Sequence, residues 1–305
     1  MVGKGAVLFA TAAELQQRLD TGDITSEGLV DIFLAQIDKH NHAGATLNAM
    51  MSTCPGPVAR STAAALDRER QQGHVRGPLH GIPVILKDAI VTSPELGMPT
   101  TSGSVALSRL RAVENAPVAQ KLVDAGMIII GKGNMTEFCG LKSDNTPVGW
   151  SAYGGQTRSP YRRADLPEAE QPVSGGSSSG PSVGVAAGFA PVGIGTETAG
   201  SNVYPASVNG LYGLTLTRGA VSTRGVFKLT ESFDSIGVQA RHPLDVAAVV
   251  GILLGKGETG GPNGQDPWEG LSIGVLKCSW GTQGVHEGVE AGKWAQPDMV
   301  CPVPQ

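Results

Sequence analysis

Apolar positions along this chain recur with two periods, and the changes of period mark out its elements. Between Ser26 and His40 the side chains of Leu29, Val30, Ile32, Phe33 and Ile37 form one stripe, the spacing of a half-buried helix. A shorter helix is expected over Thr11–Arg18, opened by a capping box in which Thr11 and Glu14 each satisfy a backbone N–H of the other. "TAAALDRERQQG" reads as a third helix, stopped by Gly73. The pattern then shifts to short apolar runs. "GIPVILKDAI" is a buried strand introduced by Gly-Ile-Pro, and "NAPVAQKLVDAGMIIIGKGN" is a helix followed by a strand at Met127–Ile130. "QTRSPYRRADLPEAEQPVSGG" is polar and loop-like. "SVGVAAGFAPVGIGTE" follows as a small-residue helix and a short strand. "HPLDVAAVVGILLG" is a helix that starts near Pro243 and ends at Gly255. Helices alternating with apolar strands predict an α/β layered fold. The chain divides into a helical segment at 1–75, an α/β core at 76–255 and a tail at 256–305, where only "LSIGVLK" has the look of a strand. No internal repeat is visible.

Composition narrows the function classes. The 305 residues are 40% hydrophobic and 16% charged, a balance that folds rather than stays disordered. A net charge of -4 without a long basic run disfavours nucleic acid as a partner. The cysteines, Cys54, Cys139, Cys278 and Cys301, form no CxxC and have no Cys/His spacing of a zinc site, so no metal and no cofactor is expected. Their scatter suits a reducing compartment. The N-terminal apolar run is short and leads into the Thr11 cap, which favours a cytoplasmic protein over a secreted one. No run approaches the roughly 18 apolar residues of a membrane span, so no membrane partner is expected.

The chemistry concentrates in two glycine-serine stretches and one lysine. "QPVSGGSSSGPS" runs from Gln171 to Ser182, and "GTETAGS" from Gly195 to Ser201. Taken alone, each is turn chemistry. A phosphate-binding loop would need Gly-Lys-Ser/Thr at its end, and none follows. Gly176–Gly180 satisfies G-x-S-x-G, the nucleophile elbow, with Asp234 and His242 available as later partners; the polar, Pro-broken "PEAEQPV" before it is the wrong context. Lys87 closes the apolar run Ile82–Leu86. A lysine held against an apolar layer loses part of its proton affinity and becomes a candidate base; the plainer reading is a lysine at a strand end that reaches solvent.

Together these stretches resemble the amidase signature family of serine hydrolases. The glycine-serine pattern of Gly175–Gly180 and Gly195–Ser201 matches the family signature, including the 24-residue step from Ser177 to Ser201. "GIPVILKDAI" resembles the family's lysine strand. "TTSGS", "GKGNMTEF" and "LYGLTLTRGAVSTRGV" are similar to other family segments, and "GWSAYGGQT" to fungal members. The resemblance covers roughly residues 11 to 255. It implies an α/β/α sandwich around a mixed sheet. It also implies a Ser–cisSer–Lys triad: Ser201 as nucleophile, Ser177 as a relay held by a cis peptide, and Lys87 as base. Thr198, Ala199, Gly200 and Ser201 would then offer backbone N–H groups to an oxyanion, because small side chains there let amides converge on one point. Ser178 and Ser179 would support them as hydrogen-bond donors or turn formers. The implied substrate is a small-molecule amide, hydrolysed through an acyl-enzyme.

Two departures from the pattern bear on that expectation. The family prefers an aliphatic residue and then arginine after the nucleophile, where this chain has Asn202 and Val203. Family members also continue with a substantial C-terminal segment that supplies further sheet and part of the pocket, so the fold is expected to be incomplete at that end. The alternatives to a working amidase are therefore an impaired, amidase-like protein and a subunit that depends on a partner. Homo-oligomers are compatible with each.

Overall fold

The computed structural model describes residues 4–255. The strand expected at "LSIGVLK" and the tail 256–305 lie outside them. Four helices come early: α1 (Lys4–Leu8), α2 (Ala12–Asp20), α3 (Ser26–His40) and, after strand β1 (Met50–Thr53), α4 (Gly56–Gln71). The expected capping box opens α2: the Thr11 amide donates to Glu14 Oε2 at 2.8 Å and the Glu14 amide to Thr11 Oγ1 at 3.1 Å. The α3 stripe is buried as the periodicity predicts, except that Ile32 is only half-buried. Gly73 takes a left-handed φ of 77° just past α4. That conformation costs a Cβ-bearing residue energy, which is why glycine ends the helix there.

After α4 the chain runs through β2 (Pro83–Lys87), α5 (Pro117–Asp124) and β3 (Ile128–Gly133), and then a small separate hairpin of β4 (Trp150–Ser151) and β5 (Gly155–Gln156). Then come α6 (Ser179–Ala186), β6 (Val192–Glu197), α7 (Val203–Val208), β7 (Tyr212–Thr215), β8 (Ser235–Ala240) and α8 (Pro243–Leu254). Among the described residues the main sheet has six strands in the order β1-β3-β2-β6-β8-β7. β3, β2 and β6 run parallel, while β1, β8 and β7 join antiparallel, so the sheet is mixed as expected.

The two faces of the sheet differ in bulk, and that difference places the site. On one face β6 and β8 present Gly193, Gly195 and Gly237. A Cβ on Gly193 would lie 3.0 Å from Pro181 Cβ, and one on Gly237 would lie 2.2 Å from Asn202 Cγ. Side chains there would push α6 and the start of α7 off the sheet. The other face carries Val192, Ile194, Ile236 and Val238, which join the core under α5 and α8. Alternation of small and branched residues along one strand produces both faces. Helices therefore lie on both sides of the sheet, the expected α/β/α layering.

Candidate functional site

Three segments meet where β2 and β6 end. Lys87 is the last residue of β2 and is wholly buried. Its neighbour in the sheet, β6, ends at Glu197 and runs straight into the turn that carries Ser201. The Gly175–Ser178 turn enters α6 alongside. Lys87 Nζ donates to Ser177 Oγ at 2.7 Å, to Thr196 Oγ1 at 2.8 Å and to the Thr196 carbonyl at 3.4 Å. Burial pushes the Lys87 amine below its ordinary pKa; Cys139, Asp234 and Glu197, which face it, pull in the opposite direction. No carboxylate among the described residues lies within ion-pair distance of Lys87. The position expected for a strand-end lysine reaching solvent is thus not the one observed.

Ser178 locks the two serine stretches together. Its amide donates to the Ser201 carbonyl at 2.9 Å, and its hydroxyl donates to the Thr196 carbonyl at 3.0 Å. Ser179 begins α6 with its hydroxyl buried and without a partner among the described residues, so no hydrogen bond from it supports the site. The cis peptide that the resemblance implies before Ser177 is absent: every peptide bond among the described residues is trans. The backbone instead turns at two consecutive glycines, Gly175 and Gly176, with φ of 75° and 22°. Side chains at either would collide with Pro205, so the turn can press against α7 only without them.

The Thr198–Ser201 turn is held from both ends. Glu197 Oε2 accepts the amides of Asn202 and Val203 at 2.7 and 2.8 Å, and Thr198 Oγ1 donates to Asp234 Oδ1 at 2.5 Å. Between those anchors the amides of Ala199, Gly200 and Ser201 find no acceptor among the described residues. The Ser201 hydroxyl likewise makes no hydrogen bond among them, and Gly200 has a left-handed φ of 81°. Asn202, which stands where the family prefers an aliphatic residue, is fully buried. Its carbonyl accepts from Gln239 Nε2 at 3.0 Å. Val203 is exposed and offers no charge.

The elbow alternative finds no support in the geometry. Asp234 bonds Thr198 rather than His242, whose ring instead accepts the Leu244 amide at the start of α8. Sequence reasoning passed over Thr196, Glu197 and Cys139 as neighbours of the lysine. Thr196 and Glu197 were legible in principle, since both lie inside the quoted "GTETAGS" motif. Cys139 was not, because a left-handed turn at Phe138 and Cys139, with φ of 47° and 55°, brings it there. Among the described residues, no group of three or more His, Cys, Asp or Glu side chains is placed to hold a metal ion. No helix among them is long and apolar enough to cross a membrane.

Comparison with known proteins bears on the family and the fold. The Amidase family model matches residues 29–262. A protein of the fungus Arthroderma benhamiae that carries the amidase name is 33% identical over 288 residues, covering 89% of this chain and 47% of its own. A glutamyl-tRNA(Gln) amidotransferase subunit of Chloroflexus aurantiacus is 36% identical, covering 93% of this chain and 56% of its own. Among solved structures, the native peptide amidase of Stenotrophomonas maltophilia superposes with a TM-score of 0.73 at 40% identity, over 80% of this chain and 47% of its own. The chain thus spans about half the length of the relatives it matches. Family model, relatives and mixed-sheet architecture agree: the chain belongs to the Amidase family.

Proposed function

We propose that the site hydrolyses a carboxamide through an acyl-enzyme on Ser201, with Ser177 as proton relay and Lys87 as base. The observation that carries this reading is the 2.7 Å contact between a fully buried, charge-unpaired lysine and the Ser177 hydroxyl. Burial favours the neutral amine, and a neutral amine accepts a proton. In the first step Ser201 Oγ bonds to the amide carbonyl carbon. The Ser201 proton passes to Ser177 Oγ, and the Ser177 proton passes to Lys87 Nζ. The negative charge that develops on the carbonyl oxygen is met by the free amides of Ala199, Gly200 and Ser201, with the Thr198 amide a further candidate donor. When the tetrahedral species collapses, the C–N bond breaks and the lysine's proton returns through Ser177 to the leaving nitrogen. Water then attacks the ester carbon: its proton passes through Ser177 to Lys87 and returns through Ser177 to Ser201 Oγ as the acyl C–O bond breaks, which frees the acid, ionised as carboxylate, and restores Ser201. Ser178 keeps the relay and the nucleophile turn in register, and a cytoplasmic setting is compatible with this chemistry.

A second reading is favoured by the amidotransferase relatives: the chain acts as one subunit of a larger assembly and turns over amide only with its partner. One experiment decides between them. The purified 305-residue chain is incubated with a simple carboxamide, and ammonia release is followed. Turnover by the chain alone that disappears in Ser201→Ala supports the first reading. Labelling of Ser201 without turnover supports the second. Turnover that survives Ser201→Ala contradicts both.

A further inference from the structure

The Asp234 side chain has no role in the proton relay, yet it sits at the margin of the site in an unusual setting. It is 7% exposed and lies just before β8. Glu197 pairs with Ser235 across the β6–β8 ladder, so Thr198 and Asp234 emerge side by side from its end. Asp234 Oδ1 accepts the Thr198 hydroxyl at 2.5 Å. Oδ2 accepts the Leu229 amide at 2.5 Å and the Thr230 amide at 3.4 Å. No cation among the described residues pairs with it. A buried carboxylate without a counter-ion costs stability, and here it is offset only by hydrogen bonds to two separate segments.

One of those segments is the turn whose amides face the candidate oxyanion position. Its far end is clamped by Glu197 on Asn202 and Val203. Its near end is clamped by Asp234 on Thr198. Three amides hang between the clamps without acceptors among the described residues, so the clamps set where those N–H groups point. The other segment is the loop around Leu229. Just before it, Phe227 packs its ring 5.3 Å from that of Phe138, beside Cys139 and hence beside the lysine. We infer that Asp234 is a positioning residue of the nucleophile turn, aiming the Ala199, Gly200 and Ser201 amides through Thr198 and tying that turn to the Phe227–Thr230 loop. This rests on the reading of Ser201 as nucleophile.

The charge of Asp234 also faces Lys87, together with Glu197 and Cys139, and all three favour the protonated amine. That gives the inference a readout that a purely structural role would not move. The 305-residue chain, Asp234→Asn and Thr198→Val are compared across pH for the rate of Ser201 labelling by a fluorophosphonate, and for kcat and KM where turnover is present. Asp234→Asn lowers the limiting labelling rate and kcat about tenfold or more, with KM moving less than about threefold. Its pH inflection moves to lower pH, because a negative charge that favoured the protonated lysine is gone. Thr198→Val loses rate to a similar extent with no shift of inflection, because the charge remains. Wild-type rates in either variant, or an unmoved inflection in Asp234→Asn, overturn the inference. Absence of label on Ser201 in the unmodified chain overturns the nucleophile assignment itself, and the inference with it.

Discussion

Lys87 owes its unusual setting to strand geometry. It closes a strand with no exposed residue, so its ammonium cannot reach water, and it finds only a hydroxyl pair and a carbonyl. Desolvation therefore dominates over the charges that face it, and its pKa falls below the ordinary 10.5. The sign of the pH dependence follows. With Lys87 as the proposed base, the active form is the neutral amine, whose fraction grows with pH, so the labelling rate of Ser201 is expected to rise with pH through an inflection below 10.5. Lys87→Arg does not rescue it, because guanidinium stays protonated. An arginine variant labelled at the unmodified rate would remove the lysine from the mechanism. Much of this was legible in the sequence: a lysine ending an apolar run, two small-residue stretches, and a fixed spacing between their serines. What was not legible is why Asn202 is tolerated beside Ser201. It fits because Gly237 and its register partner Gly195 leave room for its side chain, and only the folded sheet brings those two glycines together against it.

The same register explains which elements the periodicity exposed and which it hid. The long α3 stripe and the runs of β2 and β3 were visible because their apolar residues are bulky. β8 was missed although it alternates throughout, Ile236, Val238 and Ala240 against Ser235, Gly237 and Gln239. Its second face is small and polar because α7 begins there, so it does not read as an apolar run. Gly237→Ala is accordingly expected to cost about 1–3 kcal/mol in urea unfolding, since the new methyl would overlap the buried Asn202 side chain. A neutral substitution would show that Asn202 can move and that it does not pin the turn. The cap of α2 is visible in its own residues, but half of its start is held from far away. Asp245 in α8 accepts the Ala12 and Ala13 amides at 2.9 and 3.2 Å. Asp245→Ala is expected to lower stability by about 1.5–3 kcal/mol while leaving Ser201 labelling of the folded protein unchanged. Loss of labelling at a temperature where the variant remains folded would mean that this contact reaches the site.

Among the described residues the main sheet ends in two edge strands, β1 and β7, and exposed apolar side chains gather at the second. β7 is an edge strand, and Tyr212 and Leu214 on it are exposed, with Val203 and Tyr204 of α7 nearby and also exposed. An unpaired edge with apolar side chains invites another strand or another copy of the chain. Leu214→Lys is expected to reduce self-association in sedimentation and to reduce binding of a hydrophobic dye, without altering the helix content. If both measurements are unchanged, this edge is already covered in the intact protein. The decisive question for the molecule is nonetheless local: whether Ser201 is the nucleophile, activated through Ser177 by Lys87. Covalent labelling answers it. The 305-residue chain is treated with a fluorophosphonate and the modified residue is located by peptide mapping, alongside Ser201→Ala, Ser177→Ala and Lys87→Ala. Label is expected on Ser201, with none in Ser201→Ala and strongly slowed labelling in the other two. Label on Ser178, or undiminished labelling without Lys87, would contradict the assignment.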